Sequence, residues 1–429
     1  MNIIEQGRRF VQRLRDLASR SAKKWRECPH CGSTVTCKNG WYVRHPWFLR
    51  GQVEVRVQRH KCHACKRTYS EESPLLVRGS WYTREVHRFS IDHWQHVGSS
   101  YRRTSEWVRS LLGRQERWLY WRPLDEAPPK EQQCHLGAST VHRWLDRAGR
   151  RAAERVRGQL EGVATSGQMG TDGLWARLRG GAKRVVLLLV DSVNGVAWPP
   201  VVVKGEEGRS AWWSMFQRAR EAGLDLEALR GVTSDGAQGL LGCVRDRLRW
   251  VNHQRCVWHL WPILHREITR LGDMAAEGLT GQAAKAKCEE VCHELVALVR
   301  RVVDAESLQQ AEAALMKLMI HPLGKRLAKK LGKPLNAAVV HLLKYNQGLV
   351  RVSPEWYWRD FRLRLSHGRN HGSEQRLERA ALLWAIYHNF TPAQWRSERK
   401  RHYRRPGLSP LEVAGAEPGD VCYLDALAI

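Results

Sequence analysis

The alternation of apolar and polar positions divides the chain into stretches of different character. Residues 52–57 (QVEVRV) alternate with the period of a half-buried strand, within a turn-rich start that ends near Ser80. The pattern then becomes helical, with candidate helices at residues 91–112 and 138–156. Between them, residues 122–133 (RPLDEAPPKEQQ) are polar and contain prolines, which predicts a loop.

Strands return after about residue 168. Two apolar runs, residues 185–191 (VVLLLVD) and 196–204 (VAWPPVVVK), flank Asn194-Gly195, a pair typical of tight hairpin turns. We therefore expect two neighbouring antiparallel strands there. The elements predicted next are a helix at residues 210–222 and strands at residues 231–235 and 250–256.

The following stretch is mainly helical. Six residues recur at helical spacing and predict one helix face buried in a core: Cys288, Val291, Cys292, Leu295, Val299 and Val302. The order of elements predicts the α/β fold class, with a β-rich start and a long helical segment.

The net charge of the chain indicates what kind of partner it binds. The chain has 429 residues, with 71 Lys+Arg against 43 Asp+Glu and a net charge of +28. Such a protein attracts a polyanion, and nucleic acid is the natural candidate. The longest aliphatic run, residues 185–190, is far shorter than the roughly 20 residues that span a membrane. We expect no membrane partner and, without a recognisable signal peptide, a cytoplasmic, nucleoid-associated protein.

Two CxxC pairs lie in the β-rich start. Thirty residues separate the first pair, Cys28 and Cys31 (CPHC), from the second pair, Cys62 and Cys65 (CHAC), and four thiolates satisfy tetrahedral Zn²⁺. We predict a structural zinc site that supplies much of this small module's stability. The nearby basic residues suit contact with phosphate, although a run of charge also occurs on any solvated face. The substitute ligands that the sequence offers are Cys37, His30 and His63.

The second candidate helix has a basic side. Ser139 and Thr140 are placed to cap it, and His142, Arg143 and Arg147 are candidates for its exposed face. This arrangement suits the recognition helix of a helix-turn-helix motif in a DNA major groove. An ordinary amphipathic helix of a cationic protein explains the same pattern.

Two aspartates belong to the predicted α/β segment. Asp172 (GTDGL) falls in its first strand, with Trp175 and Leu178 expected to face the core, and Asp235 (SDGAQ) ends a buried strand. Carboxylates on adjacent strands can hold hard divalent cations that act on a phosphodiester. Asp-Gly is also a common turn signal, so the dipeptides alone are weak evidence.

The order of motifs GTDG, SDGA, CVWH (residues 256–259) and RNHGSEQRLERAALL (residues 369–383) resembles the DDE transposases of bacterial insertion sequences, particularly the Mutator-like superfamily. The resemblance covers residues 168–389, about half of the chain. It implies an RNase H-like mixed sheet, Mg²⁺ (or Mn²⁺) bound by two aspartates and a glutamate, and a helical insertion before the glutamate. The zinc-ribbon and helix-turn-helix start also resembles the DNA-binding half of such enzymes.

The resemblance assigns the third carboxylate to Glu378. The family often has an asparagine three residues before its glutamate, and Gln375 keeps the amide there, whereas His371 precedes Glu374. Glu374 remains the competitor, since it would share a helix face with Glu378. Cys256 and His259 match the family's CxxH signature, as supporting residues or as buried packing. Asp191 is expected to lead into the Asn194-Gly195 turn rather than to bind metal.

A DNA transposase would bind its terminal inverted repeats, cut them, and transfer the 3′-hydroxyl end to target DNA, as a homodimer or higher oligomer. The alternatives are a transposase-derived DNA-binding regulator that does not cut, and a metal-dependent nuclease without strand transfer. The expected domains are the zinc module (1–80), the helical segment (81–160), the catalytic core (165–265 and 360–395), the helical insertion (266–359) and a basic tail (396–429).

Overall fold

The computed structural model describes residues 27–49, 51–52, 54–71, 75–119, 134–343, 350–351, 355–367, 371–392, 407–418 and 421–429. The chain divides into two compact units, residues 1–147 with Ile429, and residues 148–428. The predicted loop at residues 122–133 and the basic segment at residues 396–405 lie outside the described residues. Over the described ranges, no helix combines the length and the apolar character that a membrane crossing requires.

A small antiparallel sheet forms the β-rich part of the first unit. Its strand order is β1-β4-β5, and β2 pairs with β3 in a separate ribbon. The predicted strand at residues 52–57 is divided between β3 and β4. The five strands are β1 (Thr36–Arg44), β2 (Trp47–Phe48), β3 (Gly51–Gln52), β4 (Val55–Cys62) and β5 (Thr68–Ser70).

Three helices follow: α1 (Arg84–Val97), α2 (Tyr101–Leu119) and α3 (Ala138–Leu160). The prediction of a single helix at residues 91–112 is wrong, because the chain turns at Gly98. Gly98 adopts a left-handed conformation (φ 68°) and donates its N–H to the Trp94 carbonyl at 3.0 Å, which closes the end of α1. The helix predicted at residues 138–156 is confirmed by α3.

A five-stranded mixed sheet is the centre of the second unit. Its strand order is β10-β9-β6-β7-β8; β6 is parallel to β9 and antiparallel to β7, and β9 is parallel to β10. The predicted α/β class is therefore confirmed. The strands are β6 (Gln168–Arg177), β7 (Lys183–Asp191), β8 (Val201–Lys204), β9 (Gly231–Ser234) and β10 (Asn252–Arg255).

The link between β7 and β8 differs from the predicted strand at residues 196–204. The turn is present, since Gly195 has φ 83° and donates its N–H to the Asp191 carbonyl at 2.9 Å. Regular pairing starts only at Val201, because Pro199 and Pro200 have no N–H to donate to a neighbouring strand.

Two helices connect the later strands, α4 (Arg209–Glu221) between β8 and β9 and α5 (Gln238–Arg247) between β9 and β10. Thr171 Oγ1 of β6 lies 3.7 Å from Met215 Sδ of α4. Since successive side chains of a strand point to opposite faces, α4 lies on the sheet face opposite Asp172. The face that carries Asp172 is therefore not covered by α4.

The helical segment packs around its own apolar core. Glu267, a nearly buried side chain, accepts hydrogen bonds from Arg270 (2.6 Å) and Lys330 (2.5 Å) and so ties α6 to α9. The predicted buried face of α7 is confirmed except at Cys288 and Cys292, which are only half-buried beside Gly272. The helices are α6 (Val257–Ala275), α7 (Gly281–Val303), α8 (Leu308–Ile320) and α9 (Pro322–Ala338).

The remaining helices return to the sheet. Asn389 donates to the Ala197 carbonyl and accepts from its N–H, at 2.9 and 2.8 Å, which fixes the last turn of α11 against the link before β8. The predicted basic tail is not all irregular, since two short helices within it contact α11. These helices are α10 (Glu355–His367), α11 (Glu374–Phe390), α12 (Pro410–Val413) and α13 (Tyr423–Ala426).

Candidate functional sites: a four-cysteine cluster and a pair of aspartates

The four predicted thiols lie together. The Sγ atoms of Cys28, Cys31, Cys62 and Cys65 are all within 4.8 Å of one another, and the Cys28–Cys65 and Cys31–Cys62 pairs are 3.6 Å apart. These distances are too long for a disulfide, whose sulfurs lie about 2 Å apart. Zinc bonds of about 2.3 Å to four tetrahedral thiolates place the sulfurs about 3.8 Å apart. The cluster therefore has the dimensions of a structural zinc site.

Matching backbone turns present the two CxxC pairs. Gly32, directly after Cys31, has φ 73°, and Lys66, directly after Cys65, has φ 62°. A lysine rarely adopts this left-handed conformation, so the second turn is held against its local preference. The His30 N–H also approaches Cys28 Sγ at 3.4 Å, a contact that stabilises a thiolate.

Crowding of the thiols separates their pKa values. A hydrogen bond from the Cys65 backbone lowers the pKa of Cys62 to about 6. A backbone hydrogen bond with Ser33 lowers the pKa of Cys31, but desolvation and the neighbouring thiols outweigh it and raise that pKa to about 11. Cys62 therefore loses its proton more readily than Cys31 does. Within the described part of the chain, Cys37, His30 and His63 do not belong to this or any other such group.

Asp172 lies in the middle of the large sheet. It is only 7% exposed, and its Oδ1 accepts the Gly173 N–H at 2.9 Å. The parallel register pairs Gly170 of β6 with Thr233 of β9. Continuing this register by two residues places Asp172 opposite Asp235, which directly follows the last residue of β9.

Asp235 follows the end of β9 and is half-buried. Its Oδ1 accepts the Ala237 N–H at 2.9 Å. Gly236 has φ 81°, and a Cβ there would lie 1.6 Å from Nη1 of Arg255. Both the conformation and the close guanidinium explain a glycine next to the acid.

Glu207 is a neighbour of Asp235 that sequence reasoning missed. Burial, and then the charge of Asp235, raise the pKa of the Glu207 carboxyl, while a hydrogen bond from the Trp175 side chain lowers it. The prediction that Trp175 faces the core is wrong: burial along β6 ends after Leu174, and Trp175 is 54% exposed. The acidic KGEEG segment after a strand was the available signal.

The two candidate third acids, both on α11, are held by different arginines. Glu374 Oε2 lies 2.9 Å from Arg184 Nε, and Glu378 Oε1 lies 2.5 Å from Arg218 Nη1. Leu188 is paired with Asp172, and Arg184 is four residues from Leu188 on β7, so Arg184 shares the Asp172 face. Arg218 belongs to α4, on the other face. Glu374 is thus bound to the face that carries Asp172.

These carboxylates do not form a tight ligand set. Among the described residues, only the cysteine cluster brings three or more potential ligand atoms within 4.8 Å of one another. Asp172 and Asp235 are neighbours, but the structure does not gather them with Glu378 or Glu374 into a closed metal cage.

Asp191, Cys256 and His259 occupy supporting positions. Asp191 is 1% exposed and accepts the N–H groups of Ser166 and Val193, at 2.7 and 2.9 Å, so it anchors the turn that follows it, as expected. Cys256 is fully buried and donates its N–H to the Ser234 carbonyl at 2.7 Å, next to Asp235. His259 lies half-buried in the first turn of α6.

The predicted DNA-binding residues lie on the first turns of α3. Arg143 and Arg147 are exposed, as expected, and Arg143 donates to Thr140 Oγ1 at 3.2 Å. The predicted capping role is wrong, because α3 begins at Ala138 and so Ser139 and Thr140 lie inside its first turn. His142 is half-buried in an edge contact with the Tyr101 ring.

No protein-family model and no curated protein matches the chain.

Proposed function

We propose that the protein is a DNA transposase of the DDE type, built on an RNase H-like core. The observation that carries the proposal is that Asp172 lies on β6 and Asp235 directly follows β9, the parallel neighbour of β6. The strand order β10-β9-β6-β7-β8, with only β7 antiparallel to both of its neighbours, supports the same fold.

Asp172 and Asp235 would bind Mg²⁺ (or Mn²⁺) together with a glutamate of α11. Oxygen ligands on a rigid sheet are what these hard cations require. Burial, and then the charge of Asp235, raise the pKa of the Glu207 carboxyl, and a cation bound by Asp235 would offset the second of these effects. When bound, the cations supply charge stabilisation at the scissile phosphate and lower the pKa of an attacking water or hydroxyl.

The third ligand is the least fixed part of the site. Glu378 is the choice that the sequence resemblance favours, but its carboxylate is paired with Arg218 of α4. Glu374 is paired with Arg184, whose side chain projects from the sheet face that carries Asp172. Either glutamate must leave its arginine to bind a cation.

Binding of the element's DNA ends falls to the first unit. The exposed Arg143 and Arg147 of α3 suit contact with a duplex, and the zinc site fixes the small sheet before it. The charge of +28 supplies phosphate affinity, to which the basic residues 396–405 contribute. Joining two ends to one target requires at least a homodimer.

The decisive experiment is cleavage and joining of DNA that carries the inverted repeats flanking the coding region, with Mg²⁺ or Mn²⁺. Asp172→Asn and Asp235→Asn should each abolish nicking and joined products while leaving end binding intact. Glu206→Gln, which alters an exposed acid next to Glu207, is the control and should cut normally. Nicking by either asparagine variant at the wild-type rate would exclude the assignment. Nicking without joined products would indicate a nuclease instead.

The ion pairs of both α11 glutamates favour one alternative, a transposase-derived DNA-binding regulator that does not cut. Such a protein keeps these pairs when it binds DNA. It would bind the same ends with equal affinity with and without Mg²⁺, and no nick would accumulate.

A further inference from the structure

A cavity of about 460 Å³ lies in the first unit, at the start of α3. This volume is within the roughly 300–1,000 Å³ of small-ligand sites. The cavity combines aromatic rings with arginines, and the residues that matter for its chemistry are Trp81, Tyr82, Trp144, Arg78, Arg143 and Arg147.

The floor of the cavity is rigid and neutral. The His87 ring stacks on Trp144 with centroids 3.8 Å apart, and Tyr82 meets Trp144 edge-on at 5.4 Å. His87 Nε2 and Ser80 Oγ share a hydrogen bond of 2.8 Å. Burial, followed by the charges of Arg147 and Arg84, lowers the pKa of His87 to about 3, so the ring is uncharged near neutral pH. A stacked, desolvated floor suits a flat aromatic ligand.

The rim of the cavity is cationic. Arg78, Arg143 and Arg147 line it, and no acidic residue is among the described residues that do so. Arg143 is held by its hydrogen bond to Thr140 Oγ1. Guanidinium groups that converge without a carboxylate favour an anion, and phosphate matches their planar donor geometry.

Trp81 provides an aromatic face that is open to solvent. Its side chain is 74% exposed, yet its backbone is fixed, since its carbonyl accepts the Trp47 N–H at 2.7 Å. An indole held in water next to arginines is poorly explained by packing. Base stacking on an aromatic ring with arginines on the phosphate is the common way to bind an unpaired nucleotide.

We propose that this cavity binds a single unpaired nucleotide of DNA, with its base against Trp81 and its phosphate on Arg143 and Arg147. The inference rests on the proposed DNA binding and deepens it. A paired base cannot enter a cavity of this size while it stays in the duplex, so the nucleotide must leave the stack. The neighbouring exposed positions of α3 would bind the flanking duplex.

The test compares the full-length protein's affinity for two labelled duplexes of one sequence, fully paired or with one central unpaired nucleotide, at one salt concentration. The wild type should prefer the bulged duplex. Trp81→Ala should remove this preference, with a loss of affinity of about 5- to 160-fold for the bulged duplex alone, the range for one stacked base. Trp258→Ala, which removes a 61% exposed indole of α6, should keep the preference.

Arg147→Gln and Arg150→Gln form the matched charge control, because both arginines are exposed on α3 but only Arg147 lines the cavity. Arg147→Gln should weaken binding to the bulged duplex more than Arg150→Gln does.

The inference would be overturned if the wild type bound both duplexes with equal affinity and Trp81→Ala did not change either affinity. DNA binding itself would then still stand. No binding to either duplex would overturn the proposed function as well. The nucleoside monophosphate with the same base as the unpaired nucleotide should displace the bulged duplex from the wild type. It should not displace this duplex from Trp81→Ala.

Discussion

The backbone carbonyl of Glu207 occupies the space where a side chain at Gly239 would begin. A Cβ at position 239 would lie 1.8 Å from Glu207 O, and a Cβ at Gly173 would lie 2.6 Å from Glu207 Oε1. The loop that carries Glu207 is therefore packed against the first turn of α5, directly after Asp235. Gly173 thus leaves room for the Glu207 carboxylate, and Gly239 leaves room for the Glu207 backbone.

Gly239→Ala should destabilise the protein, although alanine normally stabilises a helix by about 1 kcal/mol relative to glycine. The clash is with backbone and cannot be relieved by a rotamer change, so we expect a net loss of about 1–3 kcal/mol in the free energy of unfolding. Gly158→Ala in α3 is the control, since nothing lies within 4 Å of its Cβ position, and it should stabilise the protein. Urea unfolding measures both changes. A stabilising Gly239→Ala would show that the loop does not pack as described.

The cysteine cluster predicts one bound zinc per chain. Cys28→Ser or Cys62→Ser should remove the metal and unfold the β1-β4-β5 sheet, because this small sheet has little core apart from the site. Cys37→Ser, at an exposed position of β1 outside the cluster, should keep the zinc and the fold. Zinc content after gel filtration, together with proteolysis of the first unit, provides the readout. Full zinc content in Cys62→Ser would contradict the four-thiolate assignment.

The sequence predicted those parts of the sites that depend on local pattern. The CxxC spacing identified the four clustered thiols, and the short GVTS segment before Asp235 was correctly predicted as a strand that ends at an acid. The break at Gly98 was missed because the apolar positions of α1 and α2 continue with helical spacing across the turn.

Non-local packing explains the other differences. Glu207 reaches Asp235 only because the loop after β8 crosses the sheet, and no spacing along the chain encodes that approach. Alternation along β6 placed Trp175 on the same face as Thr171, but on that face burial decreases from Thr171 through Gly173 to the exposed Trp175. The arginine partners of Glu374 and Glu378 likewise depend on how α11 is laid against the sheet.

His87 should make stability fall in acid. Burial, and then the charges of Arg147 and Arg84, lower the pKa of His87 in the folded protein from 6.5 to about 3. Between these two pH values, His87 is therefore protonated in the unfolded chain and neutral in the folded protein. This difference in proton uptake has no effect above pH 6.5. Between pH 6.5 and pH 3 it lowers the free energy of unfolding by about 1.4 kcal/mol for each pH unit.

His87→Phe keeps a ring against Trp144 and removes the titration. Between about pH 7.5 and pH 5, the free energy of unfolding should therefore fall by roughly 2 kcal/mol less in the variant than in the wild type. His253 and His341, whose pKa values burial lowers to about 4, titrate equally in both proteins and cancel. Urea unfolding at the two pH values measures the difference, and parallel pH profiles would show that His87 is accessible to protons in the folded state.

The third carboxylate can be assigned by substituting the two glutamates of α11 separately. Because Glu374 is bound to the Asp172 face through Arg184, we expect Glu374→Gln to lower cleavage by more than about 100-fold and to weaken Mn²⁺ binding. Glu378→Gln should cut, since it breaks only a partly exposed ion pair with Arg218, worth about 1 kcal/mol or less. The opposite result would assign the ligand to Glu378, as the sequence resemblance does, and would require Glu378 to leave Arg218 when the cation binds. Unchanged cleavage in both variants would leave Glu207 as the remaining neighbour of Asp235, and Glu207→Gln would then have to abolish it.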